Sequence, residues 1–350
     1  MENRISGNAE TNRITNLLDK EFVFKFLSKR VLPHYPAFKS IKKIKIQPVK
    51  KYIWQTTYHV VISYEVTFKD QKNKLKTLPI FCSAHSSEPR KCVHDILKYL
   101  WQNNFSKGFL TVPHPLFYSN YYKAVFYRGV NGRHLLYYIK QKENAEIEKI
   151  VKKTAAWLAK LHSIPTRGIR RFNVKTNRID TVIPGKKRAL EEVFNKSFEH
   201  LEEVKTIYET LSDREKKFFS STSRRWLVHG DAHPENVIKV GREKIAMIDF
   251  TDFCLSDHAR DVGSFLQQLE YMCKGKHGDL EFTEKIKDIF LKNYLKCVNM
   301  GLSDSLKYRI DTYYNWTAFR TALFFLLKHE PDPRRSEDLF RQIKANLDLY

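Results

Sequence analysis

The chain has 350 residues, 42% hydrophobic and 13% aromatic, which is enough for two lobes with a buried core and too apolar for a disordered polymer. No apolar run reaches the roughly 18 residues of a membrane span, and Met1-Glu2-Asn3-Arg4 is not followed by the apolar stretch of a secretory signal. A net charge of +23 favours anionic company such as nucleotides, phosphorylated substrates, nucleic acid or an anionic membrane surface, unless lysines such as Lys152-Lys153 and Lys216-Lys217 merely solvate helix faces.

Leu17, Leu18, Phe22, Phe26 and Leu27 predict an amphipathic helix over 15–31, ended by Pro33 and Pro36. Runs rich in Val, Ile, Tyr, Phe and Thr predict strands over 41–49, 52–68 and 75–84, with Asp70-Gln71-Lys72-Asn73 as the hairpin between the last two. A helix fits 90–103, and two strand-like runs follow over 116–119 and 122–127. The spacing then turns helical. Ile147, Ile150, Val151, Leu158 and Leu161 mark one helix, and the apolar set from Leu190 to Leu211 marks one long helix. Two more fit 281–298 and 305–327, broken by Pro331 and Pro333. A strand-rich front and a helical back predict an α+β protein of two lobes, residues 1–128 and 133–350. The hinge falls at Gly129-Val130-Asn131-Gly132. The five cysteines (Cys82, Cys92, Cys254, Cys273, Cys297) are odd in number and form no C-x-x-C pair, so reduced thiols in a cytoplasmic protein are expected.

The richest stretch is His229-Gly230-Asp231-Ala232-His233-Pro234-Glu235-Asn236, with Met247-Ile248-Asp249-Phe250 after a predicted hairpin. Phosphoryl transfer needs one carboxylate to orient the acceptor hydroxyl and take its proton. It also needs hard oxygen ligands for magnesium, which takes only one or two carboxylates. Asp231 suits the first task; Asn236 and Asp249 suit the second. Zinc is the rival use of an H-x-D-x-H pattern, but no fourth nitrogen or sulfur ligand is evident.

This arrangement resembles the aminoglycoside phosphotransferase and choline kinase superfamily, which is related to protein kinases. The H-G-D-x-H-x-x-N loop is complete, Ile248-Asp249-Phe250 is similar to the I-D-F/W element, and Leu158 to His162 is similar to its L-A-x-L-H helix end. The resemblance implies a bilobal, protein kinase-like fold with an antiparallel sheet in the N-terminal lobe and a helical C-terminal lobe. It implies ATP and Mg2+ as cofactors and a small-molecule hydroxyl as acceptor. By the same resemblance Asp231 is catalytic, Asn236 and Asp249 hold magnesium, and His229, His233, Asp257 and Asp261 support the catalytic loop. The carbonyl of Arg128 and the amide of Val130 would meet the adenine. His233 replaces the lysine of protein kinases and Thr251 the glycine of their D-F-G, which favours a small-molecule acceptor.

The first lobe departs from the pattern. No glycine lies between Gly7 and Gly108, and the third strand lacks its usual lysine. Lys76, paired with Asp95, is a substitute; Lys50, Lys51 or Arg90 are others. Glu270, Asp279, Glu281 and Glu284 could make an acidic acceptor site, although the overall charge does not advertise one. The alternative reading is a pseudokinase-like module that binds nucleic acid or another polyanion through bases interleaved with aromatics, as in 42–54 and 121–142. Peripheral membrane association is a third.

Overall fold

Asp19 accepts the main-chain N–H of Phe22 at 2.7 Å and so caps α1 (Lys20–Arg30), whose Val23 and Leu27 are buried. After it come β1 (Phe38–Ile53), β2 (Tyr58–Asp70), β3 (Leu75–His85), α2 (Lys91–Leu100), β4 (Leu110–Thr111), β5 (His114–Ser119) and β6 (Ala124–Arg128). They form a sheet ordered β1-β2-β3-β6-β5, antiparallel at every joint. Residues 58, 60, 62, 64, 66 and 68 of β2 are buried, the period of a strand with one face on a core. With Val23, Leu27, Ile41 and Ile44 they make one apolar cluster, and the Tyr64 hydroxyl donates to the Leu17 carbonyl at 2.9 Å.

The helical part contains β7 (Arg133–His134), α3 (Leu135–Gln141), α4 (Asn144–His162), α5 (Lys186–Lys196), α6 (Leu201–Ser221) and β8 (Trp226–Val228). The short strands β9 (Val237–Val240), β10 (Lys244–Met247) and β11 (Cys254–Ser256) come next. Then follow α7 (Ala259–Met272), α8 (Leu280–Val298), α9 (Asp304–Leu327) and α10 (Pro333–Leu347). Helix α7 packs on α9, and α4 on α8. Strand β11 runs antiparallel to β8, and β7 antiparallel to β9.

This computed structural model describes residues 13–54, 56–167, 172, 177–182 and 185–349. It forms two units, Met1–Gly132 with Val240–Ile248 and Arg133–Lys239 with Asp249–Tyr350. Strand β10 belongs to the first unit, where it lies parallel to β4 and its Ile245 carbonyl accepts from Thr111 Oγ1 at 3.0 Å. No helix among the described residues is long and apolar enough to cross a membrane.

Three expectations need correction. The first strand runs through Pro48 to Ile53, and the Trp54 N–H donates to the Thr57 carbonyl at 2.8 Å beyond it, because β1 lies at the sheet edge, where a missing proline N–H breaks no ladder. The single helix expected over 190–211 is two, parted by non-helical backbone at Ser197 (φ −156°, ψ 58°) and a 3-10 turn, Phe198–His200. Pro333 opens a helix that the sequence reading did not foresee: it stands in the first turn of α10, where no N–H is required, and Asp332 accepts from Arg335 N.

Candidate active site

Short, apolar β8 delivers the chain to His229, and the loop that follows turns back at once. Gly230 has φ +82°, and a Cβ there would stand 2.2 Å from the Asp252 carbonyl oxygen. Only glycine fits this contact, which locks the Asp231 loop against the loop after Asp249. The buried rings of His229 and Phe250 lie 5.0 Å apart, with Trp157 of α4 about equally near both (6.1 and 6.2 Å). The loops that carry Asp231 and Asp249 therefore share one aromatic footing.

Asp261, wholly buried in the first turn of α7, holds the loop from beneath. One oxygen accepts the His229 N–H at 2.7 Å and the other the Gly230 N–H at 2.8 Å. His162, at the end of α4, reaches the same carboxylate with Nε2 at 3.0 Å. Burial would raise the Asp261 carboxyl, but the hydrogen bond from His162, with the main-chain donors, holds it below its ordinary value. The Tyr294 hydroxyl lies between His162 Nδ1 (2.8 Å) and His258 Nδ1 (2.7 Å). One proton order satisfies this chain: His162 Nε2–H donates to Asp261, Tyr294 O–H donates to His162, and His258 Nδ1–H donates to Tyr294.

Arg260 Nη2 donates to the Gly230 carbonyl at 3.1 Å from a buried position. The sequence reading missed this brace, although a cation beside an expected bracing aspartate was a usable signal. Asp257 does its work elsewhere. It accepts from Ala259 N at 3.1 Å at the start of α7 and pairs with Arg309 of α9, while its Oδ2 has no partner among the described residues. Burial raises its carboxyl.

Asp231 presents a side chain about 42% exposed. Burial of the surroundings acts to raise its pKa, but the His233 imidazole 3.6 Å away, helped by the charges of Arg320 and His229, holds it well below the usual carboxylate range. The carboxylate in turn raises His233 against the lowering effect of burial. An unprotonated His233 Nε2 accepts from Asn236 Nδ2 at 2.9 Å; a protonated one pairs with Asp231. Asn236 Nδ2 also donates to the Asp231 carbonyl at 3.0 Å, so its amide nitrogen is committed and Oδ1 is left as an acceptor. Asp249 is exposed, in left-handed backbone (φ 62°), and its Oδ1 takes the Thr251 hydroxyl at 2.7 Å. An amide oxygen and one accessible carboxylate form the sparse, hard donor set that suits magnesium. Groups of three or more His, Cys, Asp or Glu able to hold a metal are absent among the described residues.

In the first unit Arg128 ends β6 opposite Ile80, and the Gly129 N–H donates to Pro79 at 3.0 Å. Lys76 is exposed on β3 opposite Phe68. The expected Lys76–Asp95 pair is not formed: Asp95 takes Lys91 Nζ at 2.8 Å, one helical turn away, and His94 at 3.3 Å. Arg90 is buried beside Glu88. Two of the four residues of the expected acidic acceptor site, Glu270 and Glu284, are paired with lysines. Glu270 meets Lys274, Lys287 and the Tyr314 hydroxyl, Glu284 meets Lys287 at 3.1 Å, and Asp279 caps α8 through Phe282 N. Glu281 stands in the first turn of α8, where a negative charge suits the helix dipole.

Residues 54–292 match the phosphotransferase enzyme family. No curated protein matches the chain in sequence. Among solved structures the chain is similar to Plasmodium vivax ethanolamine kinase, at 14% identity over 97% of this chain and 93% of that one, with a TM-score of 0.54. It is similar to a thermostable mutant of the aminoglycoside phosphotransferase APH(4)-Ia at 13% identity, over 93% and 98% of the two chains (TM-score 0.56). It is also similar to APH(2")-IIa in a ternary complex with streptomycin and ATP, at 15% identity over 94% and 98% (TM-score 0.52). Identities this low speak to the fold, which is the α+β, protein kinase-like one.

Proposed function

Because the chain belongs to the phosphotransferase enzyme family, we propose that it transfers the γ-phosphoryl group of ATP, with magnesium, to a hydroxyl of a small molecule. The observation that carries this reading is the interlock of Gly230 with Asp252, which ties the loop of Asp231 to the loop of Asp249. In the proposed step the acceptor oxygen bonds to the γ-phosphorus while the bond from that phosphorus to the bridging oxygen breaks. The electron pair leaves with ADP, and the hydroxyl proton passes to Asp231. A carboxylate with a depressed pKa is a weak base, so its main work is to orient the hydroxyl and receive the proton late. That suffices for a loose phosphoryl transition state. Magnesium, held by Asn236 and Asp249, would neutralise phosphate charge.

For the nucleotide we assign the Arg128 carbonyl and the Val130 N–H to the adenine, and exposed Lys76 to the phosphates. The test is ADP release with magnesium and ATP across a panel of alcohols, alongside the shift in melting temperature that the nucleotide causes. The reading fails if wild type shows neither effect beyond what Asp249→Ala shows.

A second reading has one observation in its favour. Tyr52 and Trp54 are more than half exposed, their rings stack at 5.7 Å, and Lys50 Nζ lies 5.9 Å from the Tyr52 ring, a platform suited to an unpaired base. Salt-sensitive RNA binding that Asp231→Asn leaves intact would support it.

A further inference from the structure

Deepening the second reading and resting on its Tyr52–Trp54 platform, we propose that β1 carries a track for single-stranded nucleic acid, with phosphates along a row of lysines and an unpaired base on the two rings. Charge is the first support, because it is spread unevenly. Residues 1–132 hold 22 lysines and arginines against eight acids, whereas the remainder holds 40 against 31. Strand β1, at the edge of its sheet, bears six lysines and no acid. Such a run favours a polyanion.

Register decides which of these side chains share a face. Lys43, Lys45, Gln47, Lys50 and Tyr52 lie opposite residues 67, 65, 63, 61 and 59 of β2, which alternate with the buried ones. All five therefore point away from the core, and all five are exposed. A register shift between Pro48 and Lys50 brings Lys50 and Tyr52 into the row, where plain alternation would have put Val49 and Lys51. Two contacts fix the same face: Lys45 meets Glu65 at 3.6 Å, and Lys50 Nζ lies 5.9 Å from the Tyr52 ring. Glu65 is the one acid among the five opposite positions, and Lys43 and Lys50 meet no carboxylate among the described residues. Side chains two apart on a strand stand about 6.6 Å from each other, close to the distance between neighbouring phosphates of an extended strand. Gln47 adds an amide donor to the row. At its end Tyr52 and Trp54 are 53% and 56% exposed, with rings 18° from parallel. Lysines on an edge strand also guard against strand pairing, but that task leaves an exposed aromatic pair unexplained. A duplex hides the faces of its bases, so the rings select an unpaired strand.

Fluorescence anisotropy on the full chain, with short labelled oligo(U), oligo(dT) and duplex DNA of equal length, tests this. A single strand should bind about tenfold tighter than the duplex, and the two single strands tell RNA from DNA. Trp54→Ala should weaken the preferred single strand by about 5- to 150-fold and leave the duplex unchanged, with Trp54→Phe restoring part of the affinity. Lys43→Gln and Lys50→Gln should each flatten the slope of log affinity against log salt by about 0.7, the share of one phosphate contact. Lys217→Gln, at an exposed lysine of α6, should leave that slope unchanged. A slope that ignores the β1 lysines, or responds equally to Lys217→Gln, overturns the track. If Trp54→Ala still weakens binding in that case, the ring platform of the second reading stands alone. Duplex bound as tightly as the single strands overturns the single-strand assignment. Failure to bind any oligonucleotide overturns the track and the second reading together. Capture by phosphatidylserine vesicles in place of oligonucleotides, lost in Trp54→Ala, gives the hairpin to a membrane surface and overturns both as well.

Discussion

Gly230 lies against the main chain of Asp252, so close that a Cβ at position 230 would meet the carbonyl oxygen at 2.2 Å and the carbonyl carbon at 2.8 Å. The two loops that carry the candidate chemistry are thus joined backbone to backbone, and any side chain at 230 pries them apart. Gly230→Ala should destabilise the protein by about 3 kcal/mol and abolish ADP release. Gly241→Ala is the control: it has a similar φ of +78° but open space around it, and should cost only about 1 kcal/mol. Urea denaturation of both variants checks the difference; equal costs would refute the steric account.

Asp261→Asn puts an amide where a carboxylate receives two main-chain N–H groups and His162. At least one donor then faces another donor. A loss of about 1–3 kcal/mol is expected, as for a buried donor left without an acceptor. Urea unfolding at neutral pH measures it, and a loss below about 1 kcal/mol would show that the loop does not depend on this carboxylate.

Acid should unfold the protein through groups whose folded pKa is depressed. Burial pushes His258 down to about 2, against about 6.5 in an unfolded chain. Its contribution to stability is complete above about pH 6.5 and is lost progressively as the pH falls toward 2, because only the unfolded state binds the proton in that window. Asp261 acts with the same sign below about pH 3.9. His258→Phe should flatten the stability curve between about pH 6.5 and 4, measured by urea midpoints at successive pH values. An unchanged slope would place the acid sensitivity elsewhere.

His233 holds the Asp231 carboxyl low, so the acid limb of kcat/KM should lie below the usual aspartate pKa of about 3.9. His233→Ala removes that hydrogen bond and charge, and the limb should move upward. A pH–rate profile of both proteins decides it, and a limb that stays in place would show that His233 does not tune Asp231.

Asp231→Asn should lower kcat by about 10²- to 10⁴-fold, the usual contribution of a positioned base, with the nucleotide melting shift retained. Asp249→Ala should lose that shift as well. If both variants keep the shift and the rate, neither residue has the assigned role.

The chain alone determined whatever depends on local spacing. Alternation along 58–68 reports a strand whose one face meets a core, and the loop from His229 to Asn236, with Asp249 beyond it, exposes a donor set for phosphate chemistry. The split at Ser197 and the onset of α10 escaped because weak local preferences at serine and proline yield to packing and capping. Tertiary structure alone decided the rest, because it depends on which distant residues become neighbours. His162 and Tyr294 stand 132 positions apart and share a hydrogen bond. Lys287, three residues beyond Glu284, cancels the acidity that a reading of Glu270 and Glu284 promised. Arg320, silent in any motif, comes to line one mostly apolar cavity with Tyr208 of α6. Electrostatics acts through space, and only the folded chain sets those distances.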